Sequence, residues 1–311
     1  MEPNETSISR CSTITTYFLH FSRNFSYDRY LLSVFAVNCF ICLIASFSNF
    51  VIILTILKTK SLQTAPNILL LGLAVSDFFV GIITIPFFLI YKFSEYNRDV
   101  SSYCFSGIVY VYSAAILATI SFLNLTAVTA DRFFAIQLHL RYKQLITSKL
   151  YTKLLLLIWF TCITGVVMRM YLANNFYYLL VACVIFVMML VLNAVFIFKV
   201  AKTIRRHKTQ IRTHATPGTL NMPKYRKTVS TMYYIIGAFV VCYFTFASAL
   251  ILVTCDRSFS FRNRALFTVG ETFLLSNSAL NPVIYCWRIK EIRTTSLKLL
   301  KNIVKKREMI E

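Results

Sequence analysis

The chain has 311 residues, of which 57% are hydrophobic, 15% aromatic and only 14% charged. Soluble domains carry about 25% charged residues, so this composition excludes a disordered or collagen-like chain and argues against a soluble enzyme. Lysine and arginine total 33 against 12 acidic residues, and the resulting charge of +21 is by itself compatible with nucleic-acid binding. Where the basic residues lie along the chain decides between a membrane protein and a nucleic-acid-binding protein.

Seven segments are long and apolar enough to cross a bilayer as helices, which takes about 20 residues each. They lie at about 31–57, 67–93, 103–134, 152–172, 176–201, 227–255 and 265–288. The fourth is the weakest, since its charge-free part runs only from Leu154 to Met168. The sequence therefore predicts an all-α integral membrane protein built as a seven-transmembrane helix bundle over residues 31–288.

Basic residues are concentrated on one side of the predicted membrane. The segments after spans one, three, five and seven contain 24 of the 33 lysines and arginines. By the positive-inside rule, residues 1–30 are expected outside the cell and the C-terminus in the cytoplasm. The positive charge is then a topology signal that also attracts anionic lipid headgroups, so membrane lipids are expected partners and nucleic acid is not. Two glycosylation sequons on the predicted outer side begin at Asn4 and Asn24.

The segment after the last span, residues 289–311, alternates apolar and basic side chains. Ile292 and Leu299 are examples of the first kind, and Arg293 and Lys298 of the second. This pattern predicts an amphipathic helix on the cytoplasmic membrane surface, followed by a short tail.

Polar side chains also fall at mid-membrane depth. Two acids, Asp77 and Glu271, lie inside the spans away from their ends, and a carboxylate in the bilayer is costly enough to be a functional hypothesis by default. Carboxylate, hydroxyl and amide oxygens suit a small hard cation such as sodium, although a simple hydrogen bond between helices stays open for Asp77. The predicted sodium ligands are Asp77, Ser121, Asn277, Ser278 and Asn281.

Five motifs, in order along the spans, resemble those of the rhodopsin-like G-protein-coupled receptors. They are Asn49-Phe50-Val51-Ile52, Leu73-Ala74-Val75-Ser76-Asp77, Asp131-Arg132-Phe133, Trp159 and Asn281-Pro282-Val283-Ile284-Tyr285. The resemblance covers residues 31–304. It implies a plasma-membrane receptor that passes an extracellular ligand signal to heterotrimeric G proteins and catalyses no reaction of its own.

The resemblance also assigns roles to residues. It implies that Arg132 holds the helices closed and then meets the G protein, with Asp131 as its charge partner. Pro282 offers a hinge, and Tyr285 matches the family's switch tyrosine. The coupling and switch residues are predicted to be Asp131, Arg132, Phe133, Phe196, Phe239, Tyr243, Asn281, Pro282 and Tyr285.

Several switch positions depart from the family pattern. Phe133 stands where the family usually has tyrosine, and Phe196 stands where it has a second switch tyrosine. In span six, Tyr243 and Thr245 replace the usual tryptophan and proline. The segment before span six is basic and lacks the acid that usually faces Arg132. These departures predict a loosely held inactive state with raised basal signalling.

The cysteines and the loop before span five indicate which branches of the family the chain resembles most. A short loop at roughly 171–177 without cysteine, and a fifth span without proline, resemble the melanocortin branch and its adenosine, cannabinoid and lysophospholipid relatives. The family's usual disulfide cannot form here, because its loop cysteine is missing. Cys11, Cys104 and Cys255 face the predicted outer side, and Cys11–Cys255 and Cys104–Cys255 both stay open as pairings.

The ligand residues of those branches do not carry over. Ala114 stands where amine receptors have an aspartate, and Leu275 stands where opsins attach retinal, so neither classical amine binding nor retinal is expected. The remaining cavity is apolar and aromatic, which favours a lipid or an apolar peptide. Its predicted lining is Phe87, Ala114, Ala115, Ala118, Tyr243, Phe246, Leu250, Phe267, Glu271 and Leu275. Glu271 either anchors a cationic group of the ligand or pairs with Arg169, Arg257 or Arg264.

Functions other than that of a signalling receptor fit the sequence less well. A seven-span transporter would show inverted repeats and polar residues through several spans, and neither is seen. A membrane enzyme would need histidines and acids together within the spans, whereas all four histidines lie outside them. A receptor-like decoy or scaffold that couples poorly fits the departures, although the retained Arg132 and Tyr285 argue against it. No cofactor is expected beyond an allosteric sodium ion.

Overall fold

The computed structural model describes residues 25–138, 141–171, 184–185, 187–196, 198–203, 222–256 and 261–308, and among them every regular element is helical. The predicted all-α class is confirmed. The α-helices are α1 (Phe25–Lys58), α2 (Ala65–Phe79), α3 (Ile85–Asn97), α4 (Val100–Gln137), α5 (Tyr142–Leu145), α6 (Ser148–Tyr171), α7 (helical residues within 184–203), α8 (Met222–Asp256), α9 (Phe261–Arg288) and α10 (Lys290–Glu308).

Five stretches in the described part of the chain are long and apolar enough to cross a membrane. They are Tyr27–Lys58, Ala65–Asn97, Val100–Ala135, Ser148–Met168 and Tyr233–Leu252. The chain divides into two compact units. Unit 1 consists of Met1–Asn49, Asp77–Leu117 and Ala238–Pro282, and unit 2 of Phe50–Ser76, Ala118–Gly237 and Val283–Glu311.

A π-helical turn, Val80–Thr84, joins α2 to α3 in unit 1. Gly81 in this turn lies against α1, and its carbonyl accepts a hydrogen bond from the Cys42 thiol at 3.1 Å. A Cβ at Gly81 would lie 2.6 Å from Ser46 Oγ and 2.8 Å from the Ser46 backbone nitrogen. Only glycine therefore permits this approach of α1 to the π-helical turn.

Proline inside α9 creates a polar contact with α1. Pro282 has no N–H and cannot bond the carbonyl of Ser278 one turn earlier. Asn49 Nδ2 donates to that Ser278 carbonyl at 3.0 Å and to the Ala45 carbonyl at 2.8 Å. A buried amide side chain thus satisfies a backbone group that the proline leaves free.

The connection between α3 and α4 is closed by an acidic cap. Arg98 adopts a left-handed conformation (φ 63°), and Asp99 Oδ1 accepts hydrogen bonds from the backbone N–H groups of Ser101 and Ser102 at 3.1 and 3.3 Å. The Ser102 hydroxyl, together with these N–H groups, lowers the pKa of the Asp99 carboxyl below its ordinary value. Asp99 is therefore an ionised N-cap for the long helix α4.

In unit 2, α10 packs on α1 through a small set of contacts. Ile292 is fully buried, and Ser296 Oγ lies 3.0 Å from Thr55 Oγ1 of α1. Lys298 on another face of α10 is exposed. The helix is therefore amphipathic in the structure, with one face held by the rest of unit 2.

Candidate functional site

The Asp131-Arg132-Phe133 motif lies near the end of α4, in unit 2. The Asp131 carboxylate is almost fully buried, and its Oδ1 accepts hydrogen bonds from the hydroxyls of Tyr142 on α5, at 2.5 Å, and Tyr151 on α6, at 2.7 Å. Burial, and then the hydrogen bond to Asp131, raise the pKa of Tyr142 above its ordinary value, so this hydroxyl stays protonated and donates. The other oxygen, Oδ2, lies 3.4 Å from Arg132 Nε. The Asp131 carboxylate therefore contacts three neighbouring polar side chains.

Arg132 is the exposed member of this group. Its side chain is 26% exposed, against 1% for Asp131. A single contact at 3.4 Å through Nε is weaker than the two-pronged geometry that an arginine can form with a carboxylate. Arg132 is thus paired, but it retains access to a partner arriving from solvent.

The two phenylalanines that depart from the family pattern contact each other. The rings of Phe133 and Phe196 have centroids 5.3 Å apart, and Lys199 Nζ lies 5.6 Å from the Phe133 ring centroid. This apolar contact joins α4 to α7 within unit 2. Tyr285 is also in unit 2 and is fully buried.

The other predicted switch residues belong to unit 1. The rings of Phe239 and Tyr243 are stacked, with centroids 3.8 Å apart. Asn281 and Pro282 are buried on α9. The predicted switch residues are thus divided between the two units, and the contacts shown among them are the pairs Asp131–Arg132, Phe133–Phe196 and Phe239–Tyr243.

Part of the predicted sodium site is assembled in unit 1. Asp77 is fully buried, and its Oδ2 accepts a hydrogen bond from Asn281 Nδ2 at 2.7 Å. Asn277 and Ser278 are buried on the same helix as Asn281, and no described group donates a hydrogen bond to Asn277 Oδ1. Ser121 is a buried residue of unit 2. The hydrogen bond between helices that the sequence left open for Asp77 is therefore present, and a buried amide oxygen lies on the same helix.

Unit 1 also contains a group of buried charges, here called the four-charge cluster: Lys92 and Glu95 on α3, and Arg264 and Glu271 on α9. Arg264 donates to both oxygens of Glu95, from Nε at 3.1 Å and from Nη2 at 2.8 Å. Nη2 also donates to the hydroxyl of Tyr103 at 2.8 Å. The Tyr27 hydroxyl of α1 donates to Glu95 as well. Two-pronged binding with further donors is the arrangement that offsets the desolvation cost of burying such a pair.

Lys92 links the two acids of the four-charge cluster. It is 1% exposed, and its Nζ lies 3.2 Å from Glu271 Oε2 and 3.6 Å from Glu95 Oε2. It also donates to Thr268 Oγ1 at 3.0 Å. Its ammonium lies near the rings of Tyr91 and Phe88, 4.8 and 5.3 Å from their centroids. Lys92 is therefore the described cation beside Glu271.

This arrangement corrects the sequence analysis. Arg264 binds Glu95, the cation beside Glu271 is Lys92, and the side chains of Arg169 and Arg257 are outside the described residues. The sequence placed only Asp77 and Glu271 inside the spans away from their ends, but the side chain of Glu95 on α3 is also only 10% exposed. The spacing of Ile85, Phe88, Lys92 and Glu95 was the available signal, because positions three and four apart share one helix face.

The predicted cavity residues of unit 1 lie on α3, α4, α8 and α9. Glu271 and Leu275 are buried, and the rings of Phe246 and Phe267 lie 6.0 Å apart between α8 and α9. Ala118 belongs to unit 2. The remaining predicted lining residues are partly exposed: Phe87, Ala114, Ala115, Tyr243, Phe246, Leu250 and Phe267.

Features predicted for the outer side are only partly described. Cys104 is disulfide-bonded. Cys11 and the side chain of Cys255 lie outside the described residues, as do Asn4 and Asn24. The choice of disulfide partner and the glycosylation sites stay predictions.

Comparisons with known proteins agree with the motifs. The family model described as "7 transmembrane receptor (rhodopsin family)" matches residues 48–176 and 162–285. The human histamine H2 receptor is 25% identical over 284 residues, covering 85% of this chain and 78% of the receptor. The horse adenosine receptor A2a is 24% identical (88% and 73% covered), and the zebrafish melanocortin receptor 4 is 24% identical (81% and 79%). The family, the seven-helix fold and the multi-pass membrane location predicted from the sequence are confirmed: the chain belongs to the rhodopsin family of seven-transmembrane receptors.

Proposed function

We propose that this receptor passes an extracellular ligand signal to a heterotrimeric G protein, with its N-terminus outside the cell and its C-terminus in the cytoplasm. The observation that carries the proposal is the state of Arg132, which is a quarter exposed and paired with Asp131 through one contact at 3.4 Å. Because Asp131 also accepts hydrogen bonds from two tyrosines, its charge is shared and its hold on Arg132 is weak. An Arg132 side chain that Asp131 holds only weakly supports coupling to the G protein with raised basal signalling.

Ligand-free signalling in transfected cells tests this proposal. We expect cAMP, calcium or G-protein dissociation readouts above those of mock-transfected cells, and we expect Arg132→Ala to remove this signal. Arg141→Ala is the matched control, because Arg141 is exposed and lies in the segment between α4 and α5. Basal signal equal to mock at equal surface expression would contradict the raised basal activity. A signal that survives Arg132→Ala would contradict the role of Arg132.

A second candidate is a receptor-like scaffold or decoy that couples poorly. It is favoured by the contact between Phe133 and Phe196. These two apolar rings stand at positions where the family usually has tyrosines. Restoring the hydroxyls with Phe133→Tyr and Phe196→Tyr separates the two candidates. A scaffold should gain coupling from these changes, whereas a competent receptor should change little.

The names of the relatives refer to histamine, adenosine and melanocortin, and they do not identify the ligand of this receptor. The predicted lining in unit 1 is dominated by aromatic and small apolar side chains. Such a lining supports a ligand with an apolar body, such as a lipid or an apolar peptide.

Sodium is proposed as an allosteric ion. The residues present fit it, because Asp77 supplies a buried carboxylate and Asn277 a buried amide oxygen without a described donor. Both are ligand types that a hard cation prefers. The purified receptor should melt at a higher temperature in sodium chloride than in potassium chloride, and Asp77→Asn should abolish the difference. Equal melting temperatures of the wild-type receptor in the two salts would contradict sodium binding.

A further inference from the structure

We propose that Arg288, at the end of α9, binds the phosphate of an anionic phospholipid, and that Tyr234 and Trp287 hold the arginine in place for it. All three residues belong to unit 2. Such a site goes beyond the proposed receptor function and does not depend on G-protein coupling. It also differs from a general attraction of basic residues to lipid headgroups, because one arginine and two rings define it.

Arg288 lies where the last span meets the membrane surface. The helix α9 ends at Arg288, and the amphipathic helix α10 begins at Lys290. On α8, Tyr234 is the second residue of Tyr233–Leu252, the stretch that is apolar enough to cross a membrane. Tyrosine and tryptophan are enriched at the ends of spans, because their rings sit at the level of the lipid headgroups. The three side chains are therefore within reach of a lipid phosphate.

Two aromatic rings hold the Arg288 guanidinium. Its Cζ lies 5.2 Å from the ring centroid of Tyr234 and 5.2 Å from that of Trp287. The two rings contact each other edge to face, with centroids 5.1 Å apart. A ring face attracts the positive charge but is a weak hydrogen-bond acceptor. The rings therefore fix the position of the guanidinium without using its hydrogen-bonding capacity.

Arg288 differs in this respect from two arginines described above. Arg264 donates to Glu95, and Arg132 lies 3.4 Å from Asp131. In the described part of the chain, no acid forms an ion pair with Arg288, and its Nε is buried without a hydrogen-bond acceptor. A guanidinium has five N–H donors in a planar fork that matches the oxygens of a phosphate. The missing partner is therefore an anionic oxygen group.

The surface beside the arginine has room for acyl chains. Tyr234 is 46% exposed, and Trp287 and Val283, which lie one turn apart on α9, are each 56% exposed. Gly237, one turn after Tyr234, is exposed, and an added Cβ there would meet nothing within 4 Å. An acyl chain covers such an apolar surface, whereas a free phosphate ion leaves it bare. The ligand is therefore a phospholipid and not inorganic phosphate.

The charges nearby favour a lipid with a net negative charge. Lys290 and Arg293 on α10 are exposed, and Glu291 is the acid between them. Together with Arg288, this short segment carries three positive charges and one negative charge. Phosphatidylglycerol, which is anionic and has no amine, is attracted by the surplus, whereas phosphatidylcholine has no net charge.

The two tryptophans of the chain provide the test, because Trp287 lies in the proposed site and Trp159 lies on α6. The full-length Trp159→Phe receptor keeps Trp287 alone and is reconstituted into bilayers of phosphatidylcholine and phosphatidylglycerol at a fixed ratio. One lipid or the other carries brominated acyl chains, which quench tryptophan fluorescence at close range. Trp287→Phe, which keeps Trp159, is the matched control. Both leaflets have the same composition, so the orientation of the receptor does not affect the result.

We expect phosphatidylglycerol to bind beside Trp287 about fivefold better than phosphatidylcholine, and the two lipids to quench Trp159 equally. In the Trp159→Phe receptor, Arg288→Gln should remove this preference. Lys298→Gln removes the same charge from an exposed position on α10 and should leave the preference intact.

Equal quenching of Trp287 by the two brominated lipids would overturn the proposal, since Trp287 would then be an ordinary lipid-facing anchor. So would a preference that Lys298→Gln removes as fully as Arg288→Gln. Quenching by neither lipid would mean that a protein surface, such as a second copy of the chain, covers Trp287. Where Trp159→Phe does not fold, native mass spectrometry of the unaltered receptor decides: more retained phosphatidylglycerol than on Arg288→Gln supports the site, and equal retention contradicts it.

Discussion

Each unit of the molecule contains an acid, an arginine and tyrosine hydroxyls, but the two groups are built differently. In the four-charge cluster, Arg264 is 8% exposed and holds Glu95 with two hydrogen bonds at 2.8 and 3.1 Å. In unit 2, Arg132 is 26% exposed and meets Asp131 at 3.4 Å. Two tyrosines donate to Asp131, whereas in the four-charge cluster Tyr27 donates to Glu95 and two further tyrosines, Tyr91 and Tyr103, accept from Arg264.

The direction of these hydrogen bonds has a consequence. Hydroxyls that accept from Arg264 hold the guanidinium in place while it binds both oxygens of Glu95, so the ion pair is reinforced even though Tyr27 also donates to this acid. Hydroxyls that donate to Asp131 compete with Arg132 for the same carboxylate, and the ion pair is weakened. The same residue types therefore produce a structural clamp in unit 1 and a releasable arginine in unit 2.

The largest expected effect is from breaking the clamp. Arg264→Met leaves Glu95 buried without its main partner, and removing one member of a buried pair costs about 3–5 kcal/mol. We expect loss of surface expression and of the thermal unfolding transition in detergent. Arg262→Met, on the same helix but exposed, should behave like wild type. The double change Arg264→Met with Glu95→Met should recover much of the loss, and a double variant no better than the single one would show that the pair is not the cause.

A second test concerns the packing that places α3. Gly81→Ala puts a Cβ 2.8 Å from the Ser46 backbone nitrogen, so α1 or the π-helical turn must move. Overpacking of this kind costs about 1–3 kcal/mol, and the melting temperature should fall. Gly165→Ala is the matched control, because nothing lies within 4 Å of its added Cβ. Equal melting temperatures for the two variants would show that the close approach is not tight.

The smallest expected effect concerns the releasable arginine. Asp131→Asn keeps an oxygen for the tyrosine hydroxyls but removes the charge that holds Arg132. A partly exposed ion pair is worth up to about 1 kcal/mol, so basal signalling should rise by up to about fivefold. Tyr142→Phe should lower it, because Asp131 loses a competing donor, and Tyr233→Phe, at an exposed tyrosine, should change nothing. A fall in basal signalling with Asp131→Asn would reverse the roles assigned here. G-protein dissociation normalised to surface receptor is the measurement.

The sequence predicted what is local or follows from order along the chain. Helix-long apolar segments and motifs such as Asp131-Arg132-Phe133 identify the fold and the family, because each spans a few turns of one helix. The contact of Asn281 with Asp77 is the hydrogen bond between helices that the sequence left open as the alternative to a sodium site. The partners of Glu271 and Arg264 were not, because which cation meets which acid depends on how α3 and α9 are rotated against each other.

The rotation of α3 has its origin in Val80–Thr84. A π-helical turn holds one residue more than the α-helical turn it replaces, and one residue corresponds to about 100° around a helix axis. The extra residue therefore sets the direction, around the helix axis, of every side chain that follows on α3. Loss of a single residue from this turn would rotate Lys92 and Glu95 by about a quarter of a circle away from α9. The extra residue therefore places these two charged side chains, which lie inside an apolar span, against their partners on α9.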